Sequence, residues 1–253
     1  MTDHARVTGP TQALQPTFSL SVVSHGQGAL VGALLADLES VTPRDFEVVV
    51  TLNIPEPEPK VSAFSFPVRV IRNCAPKGFG GNHNQAFRAS RGRLFAVVNP
   101  DIRMPAVDLG ALALAFDDRQ VGACGPGVVG SDHALQDSAR RFPTLATMLS
   151  RLVRRPDRPD YAAANEPVTV DWLAGMFIVF RPQAFVSVGG FDEKRFFMYY
   201  EDVDIAQRLL GLGWRSVLVP ATAVVHDAQR ASHRNLQHLR WHVTSAARYL
   251  TGL

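Results

Sequence analysis

The chain has 253 residues, 46% hydrophobic and 19% charged, with a formal net charge of +3 and a pI near 9.1. Such a composition makes an ordinary soluble core available, and the mildly basic charge suits an anionic ligand or surface without requiring a nucleic-acid partner. No stretch approaches ~18 uninterrupted apolar residues, so no spanning helix is expected. Cys74 and Cys124 stand far apart in no metal-ligand spacing, which favours free thiols in a reducing, cytoplasmic compartment.

Residues 1–16 lack the apolar core of a signal peptide and read as a flexible leader. Buried strands are expected at Phe18–Ser24, Phe46–Leu52, Val68–Ile71 and Leu94–Val98. Helical spacing lies between them at Ala29–Val41 and Asn82–Arg91. Strand and helix alternate, so the fold class is α/β, with a mostly parallel open sheet flanked by helices. Ligands bind such sheets beyond the carboxyl ends of the strands. Ser24, His25, Asn53, Asn73 and Asn99-Pro100-Asp101 all fall there.

The second half is less regular. A helix is expected at Leu109–Phe116, a glycine-rich strand at Val121–Val129 and an irregular insert from Ser138. An exposed Arg- and Pro-rich loop follows over Arg151–Pro167, then one strand over Val168–Arg181 and a short helix at Gln183–Val188. The aromatic run Phe196–Tyr200 precedes Glu201, Asp202 and Asp204, which open a helix with Val203, Ala206 and Leu210 on one side. Acids in a first helical turn can merely answer the helix dipole. An apolar wall just before them is also the setting in which a general base is positioned and tuned. Trp214–Pro220 reads as a strand, and a second apolar run ends on His226. Residues 228–253 form a basic extension whose helix carries Leu236, Leu239, Val243, Ala246 and Leu250 on one side. That helix, with the Arg-rich loop, either makes peripheral contact with an anionic membrane at its inner face or is a solvated basic surface.

Three further stretches can carry chemistry. Asp101 ends an apolar strand, where a carboxylate can hold a hard divalent cation against a diphosphate; Asn-Pro-Asp is equally a turn sequence. In Asn73–Ala86, glycines precede a helix N-terminus, as in phosphate sites. The dinucleotide fingerprint does not fit, because His83 takes the place of its third glycine. Trp172, in Asp171–Met176, offers either a stacking face for a sugar or core packing.

Taken in order, Asn73-X₄-Gly78-Phe79-Gly80-X₃-Asn84, Asn99-Pro100-Asp101, Trp172-Leu173-Ala174-Gly175, Gly189–Asp204 and Gly213-Trp214-Arg215 resemble family-2 glycosyltransferases of the bacterial rhamnosyltransferase-like branch. The resemblance implies a GT-A-like domain over residues 17–227. It implies inverting transfer of a sugar, such as rhamnose, from a nucleotide-diphosphate donor to a glycan or lipid-linked acceptor. Asp202 is then the catalytic base and Glu201 orients it or the acceptor. Ser24, His25, Asn53, Asn73, Gly78, Phe79, Gly80, Asn84, Asn99 and Asp101 lie along the nucleotide and donor, and Trp172 and Gly175 along the sugars. Asp101 and His226 hold Mn²⁺ or Mg²⁺; taken alone, His226 is equally a hydrogen-bonded structural residue. Two positions depart from the family pattern. Leu52 stands where an Asp usually reads the base, leaving Asn53 or Glu56 to replace it, and position 25 is His. A nucleotidyltransferase would need a basic residue in His25–Gly28, which has none; a non-catalytic nucleotide- or glycan-binding module on the same fold remains the alternative.

Overall fold

The computed structural model describes residues 15–132, 134–144, 147, 160–161, 165–226 and 236–252. The N-terminal half alternates β1 (Phe18–Ser24), α1 (Gly28–Leu38), β2 (Phe46–Leu52), β3 (Val68–Arg72), α2 (Phe79–Ala89) and β4 (Leu94–Val98). Next come β5 (Ile102–Arg103), α3 (Leu109–Leu114), β6 (Val121–Val129), β7 (Ala139–Arg140), β8 (Val168–Val170), β9 (Trp172–Leu173), β10 (Phe177–Phe180) and α4 (Pro182–Ser187). The chain closes with α5 (Glu201–Gly211), β11 (Arg215–His226) and α6 (Leu236–Thr251).

The main sheet runs β3-β2-β1-β4-β10-β6-β11-β5, with β8 also paired to β11. The first four strands are parallel, whereas β10 is antiparallel to both its neighbours. Their side chains alternate between two buried faces, which is why these strands read as continuous apolar runs. Leu20, Val22, Val48, Val50 and Val98 pack with Leu34, Leu35 and Leu38 of α1. Val49, Phe95 and Val97 pack on the other face with Ala86, Phe185, Ile205 and Leu209. On that second face β1 is polar: Ser19 donates to Glu47 at 2.6 Å and Ser21 meets His83 Nδ1 at 2.8 Å. Burial holds His83 neutral, its pKa pushed down to about 3.

Two expectations change. The single strand over Val168–Arg181 is divided into β8, β9 and β10, and β9 leaves the main sheet to pair with β7. The two apolar runs after Trp214 are one strand, β11, whose register shifts between Val219 and Ala223, where Pro220 has no N–H to give. The aliphatic stripe of the C-terminal helix faces outward: Leu239, Val243 and Leu250 are 61%, 59% and 43% exposed. The helix docks through its aromatic and polar side instead, because the surface it meets is the Phe197–Tyr200 run. Most of the Arg-rich loop, 148–159 and 162–164, lies outside the described residues, as do the leader to residue 14 and the linker 227–235. Among the described residues no helix is long and apolar enough to cross a membrane.

Candidate active site

The ends of β1, β2 and β3 meet in a polar knot. Ser24, fully buried, donates to Glu56 at 2.9 Å, and the Gly26 N–H reaches the same carboxylate at 3.1 Å. Asn53 uses its whole amide: Nδ2 faces Lys77 O at 3.0 Å and His25 Nδ1 at 3.2 Å, and Oδ1 accepts from Lys77 N and Asn73 Nδ2. Asn73 also donates to Asn82 Oδ1 at 2.7 Å, while its own Oδ1 is buried without a partner. Asn53 thus braces the loop after β3, and Leu52 belongs to the core. The half-buried Glu56 carboxylate and the exposed His25 ring are what the strand ends present to a ligand.

Asp101 follows β4, and β11 brings His226 beside it by pairing with β5, His226 opposite Ile102. His226 Nε2 stands 3.3 Å from Asp101 Oδ2. The other ring nitrogen faces Gln136 Oε1 at 2.8 Å, and Gln136 Nε2 donates to the His226 carbonyl at 3.3 Å. That second bond orients the amide so that Nδ1 donates to Gln136 Oε1, which leaves Nε2 facing the Asp101 carboxylate. Asp101 Oδ1 is buried with no hydrogen-bond partner. A carboxylate with one orphaned oxygen beside an imidazole nitrogen is a donor set that fits a divalent cation, with Gln136 holding the ring from behind. Among the described residues no third His, Cys, Asp or Glu joins them.

Glu201 and Asp202 open α5, whose N-cap, Tyr200, offers no side-chain cap. Tyr199 and Tyr200 have φ of 72° and 68°, left-handed values that cost about 1–2 kcal/mol each for residues with a Cβ. Asp202 Oδ2 accepts from Gly175 N at 3.0 Å and Oδ1 from Val203 N at 2.9 Å. Burial raises its pKa, and these N–H groups oppose the rise. Glu201 is 5% exposed, and its Oε2 has no partner. Burial, then the neighbouring Asp202 charge, pushes its pKa up to about 8. Two buried carboxyls side by side cannot both ionise readily. Asp202 has N–H partners that favour its charged form, whereas Glu201 Oε2 has none.

One short segment joins these parts. Gly175 N binds Asp202, and Met176 O accepts from Asn99 N at 2.9 Å. Phe177 then pairs with Val98 at the end of β4. The acid of α5 and the Asn99-Pro100-Asp101 turn are therefore two hydrogen bonds apart along the chain. A Cβ at Gly175 would lie 2.9 Å from Phe79 Cζ, so any side chain there would have to displace the Phe79 ring.

The structure moves other predicted residues out of the ligand's reach. Trp172 is 7% exposed, its indole N–H bonded to Arg141 O at 2.9 Å, Arg140 over its ring, and Val203 and Ala206 packed against it. It is core and has no free face for a sugar. Asn84 is buried and spends its amide on Phe191 N and O at 3.0 and 2.8 Å, so it holds the Gly190–Phe191 turn. The glycines before Asn82 do not form a phosphate cradle. A Cβ at Gly78 would strike the Phe197 carbonyl, and one at Gly80 would lie 2.6 Å from Phe191 Cβ. The first amide of α2, Phe79 N, already donates to Phe197 O at 2.9 Å. These residues let α2 approach the 190s loop, and Phe79 forms its wall with His83 and Phe191. Sequence reasoning missed Gln136; the glycine turn at Gly130 predicts a hairpin there, but nothing local says that the returning strand meets His226.

Comparison with known proteins agrees with this layout. Residues 19–178 match the family described as Glycosyl transferase family 2. The chain is 31% identical over 253 residues to the N-acetylglucosaminyl-diphospho-decaprenol L-rhamnosyltransferase of Mycobacterium tuberculosis, covering 90% of this chain and 82% of that protein. It is 33% identical over 187 residues to rhamnosyltransferase WbbL of Escherichia coli K12, covering 68% and 70% of the two chains. Among solved structures, GalNAc-T7 with UDP, GalNAc and Mn²⁺ superposes with a TM-score of 0.65 at 16% identity over 85% of this chain. The mannosyltransferase PcManGT of Pyrobaculum calidifontis, in complex with GDP-Man and Mn²⁺, gives 0.61 at 20% identity over 93%. This chain spans 44% of the former and 65% of the latter, and at those identities the likeness speaks for the fold, GT-A. Matched by the family over most of its sheet and by rhamnosyltransferases along most of its length, the chain belongs to glycosyl transferase family 2, in its rhamnosyltransferase branch, and is a glycosyltransferase.

Proposed function

We propose that the protein transfers a sugar, rhamnose by analogy with its relatives, from a nucleotide-diphosphate donor to a hydroxyl of a glycan or lipid-linked acceptor, with inversion. The observation that carries this reading is the Gly175–Met176 link, which ties a buried, N–H-bonded carboxylate to the strand end bearing the Asp101–His226 pair.

The donor lies across the carboxyl ends of β1 to β4, its nucleotide toward His25 and Glu56 and its sugar toward Asn99. Asp101 and His226 would hold Mn²⁺ or Mg²⁺, which would supply positive charge against the departing diphosphate. Asp202 accepts the proton of the acceptor hydroxyl. That oxygen bonds to the anomeric carbon as the bond to the diphosphate breaks on the opposite face, which inverts configuration. Glu201, kept protonated by burial, leaves Asp202 as the single charge of the pair and orients it.

The test is transfer or slow hydrolysis of nucleotide sugars by the purified protein, with and without Mn²⁺, compared with Asp202→Asn. Metal-stimulated turnover lost in the variant supports the reading. Undiminished turnover in Asp202→Asn removes the base assignment. Calorimetry showing equal nucleoside-diphosphate affinity with and without Mn²⁺ removes the metal pair.

A further inference from the structure

We propose that α6 is a positioning element of the transfer reaction: its inner face holds Tyr199 and Tyr200 in the left-handed backbone that aims Glu201 and Asp202. The inference rests on the reading of Asp202 as the base.

Among the described residues these two tyrosines are the only non-glycine residues with positive φ, and they are consecutive. Nothing in a tyrosine favours that conformation, so the surroundings must impose it. Those surroundings are largely α6. Ser245, 3% exposed, donates its hydroxyl to Met198 O at 2.8 Å. Tyr199 OH meets His238 Nδ1 at 2.8 Å, and the His242 ring lies 5.2 Å from Tyr199 and 5.5 Å from Tyr200. Tyr249 covers Tyr200 at 5.5 Å, and Trp241 meets Phe197 at 4.9 Å.

A second grip lies one step back. Arg248 donates to Arg195 O at 2.5 Å, and Arg195 returns a bond to Arg248 O at 3.0 Å. The same Arg195 guanidinium reaches Asp204 in the first turn of α5 at 3.1 Å. From Arg195 to Tyr200 every residue but Phe196, which points into the interior, is held by α6. The helix turns its aliphatic stripe outward. Its inner face works on the segment whose last residue is the N-cap of the catalytic helix.

The experiment compares Ser245→Ala, Arg248→Ala and their combination with Ser245→Thr, which keeps the hydroxyl, and with Asp202→Asn. The double variant is expected to lose about tenfold or more in kcat, because misplacing a reacting group by a fraction of an ångström has effects of that size. Its KM for donor and its Mn²⁺-dependent affinity for nucleoside diphosphate stay at wild-type values, which also certifies the fold. Ser245→Thr restores kcat relative to Ser245→Ala. Wild-type kcat in the double variant overturns the proposal, as does a loss of kcat matched by an equal loss of nucleotide binding. If Asp202→Asn itself turns over normally, the base reading fails first. If Asp202→Asn is inactive while the double variant is normal, only the role of α6 fails.

Discussion

The two halves of the sheet are built to different standards. From β1 to β4 the strands are parallel and buried on both faces, and Asn53 knits their ends together through four hydrogen bonds, although Asn73 Oδ1 and Asp101 Oδ1 stay unpartnered. From β10 onward the strand directions are mixed and β11 carries a bulge. The helix bearing the acids follows two left-handed tyrosines, and Glu201 Oε2 has no partner. The lesson is a division of labour. A regular half can carry a binding surface because its stability does not depend on the ligand. An irregular half holds groups in costly states: two adjacent buried carboxyls, both with raised pKa, at the start of α5.

If that division is real, substitutions in the two halves should separate chemistry from folding. The largest effect is expected from Asp202→Asn: transfer falls by roughly 10²–10⁴-fold, while nucleoside-diphosphate affinity, measured by calorimetry, stays near wild type. A comparable fall in binding would mean that the acid belongs to the regular half's task. In the core, Phe191→Ala and Leu34→Ala should each cost about 2–5 kcal/mol in denaturant unfolding. Phe191→Ala should also lower kcat, since Phe191 backs Phe79 and the wall beside Gly175, whereas Leu34→Ala leaves kcat of the folded fraction intact.

A smaller effect is expected behind the metal pair. Gln136→Leu frees the His226 ring, and Mn²⁺-dependent nucleotide affinity should weaken about tenfold with no change in metal-free affinity. An equal change in both would place Gln136 in folding alone. The mildest test is pH. Glu201 has a pKa raised from 4.5 to about 8 on folding, so its contribution to stability is present below pH 4.5 and is lost as pH rises through 8. Glu201→Gln removes that loss, and its melting temperature should gain on wild type between pH 5 and pH 9. Parallel melting curves across that range would show that the carboxyl is not held protonated.

Much of the regular half was legible from residue pattern. FSLSVVS, FEVVVTL and LFAVV are β1, β2 and β4 to the residue, because strands buried on both faces leave little choice of side chain. α2 begins at Phe79, three residues before the expected Asn82, since Gly80 and Gly81 lie inside its first turn, against the usual penalty for helical glycine. Their reason is the approach of Phe191 and Glu193 from a segment more than 100 residues away. Trp172 misled for the same cause: an indole in a short strand looks the same whether its face is free or lies under Arg140.

What the sequence determined by itself is the alternating core of β1 to β4 and the presence of acids at the start of α5, because both follow from local spacing. The family resemblance anticipated that Asp101 meets His226; the tertiary structure alone decided that Gly175 binds Asp202, that Gln136 orients the imidazole and that α6 turns its aromatic side inward. Each of these joins residues distant in the chain, and their geometry is set by strand pairing and close packing, which no local pattern encodes.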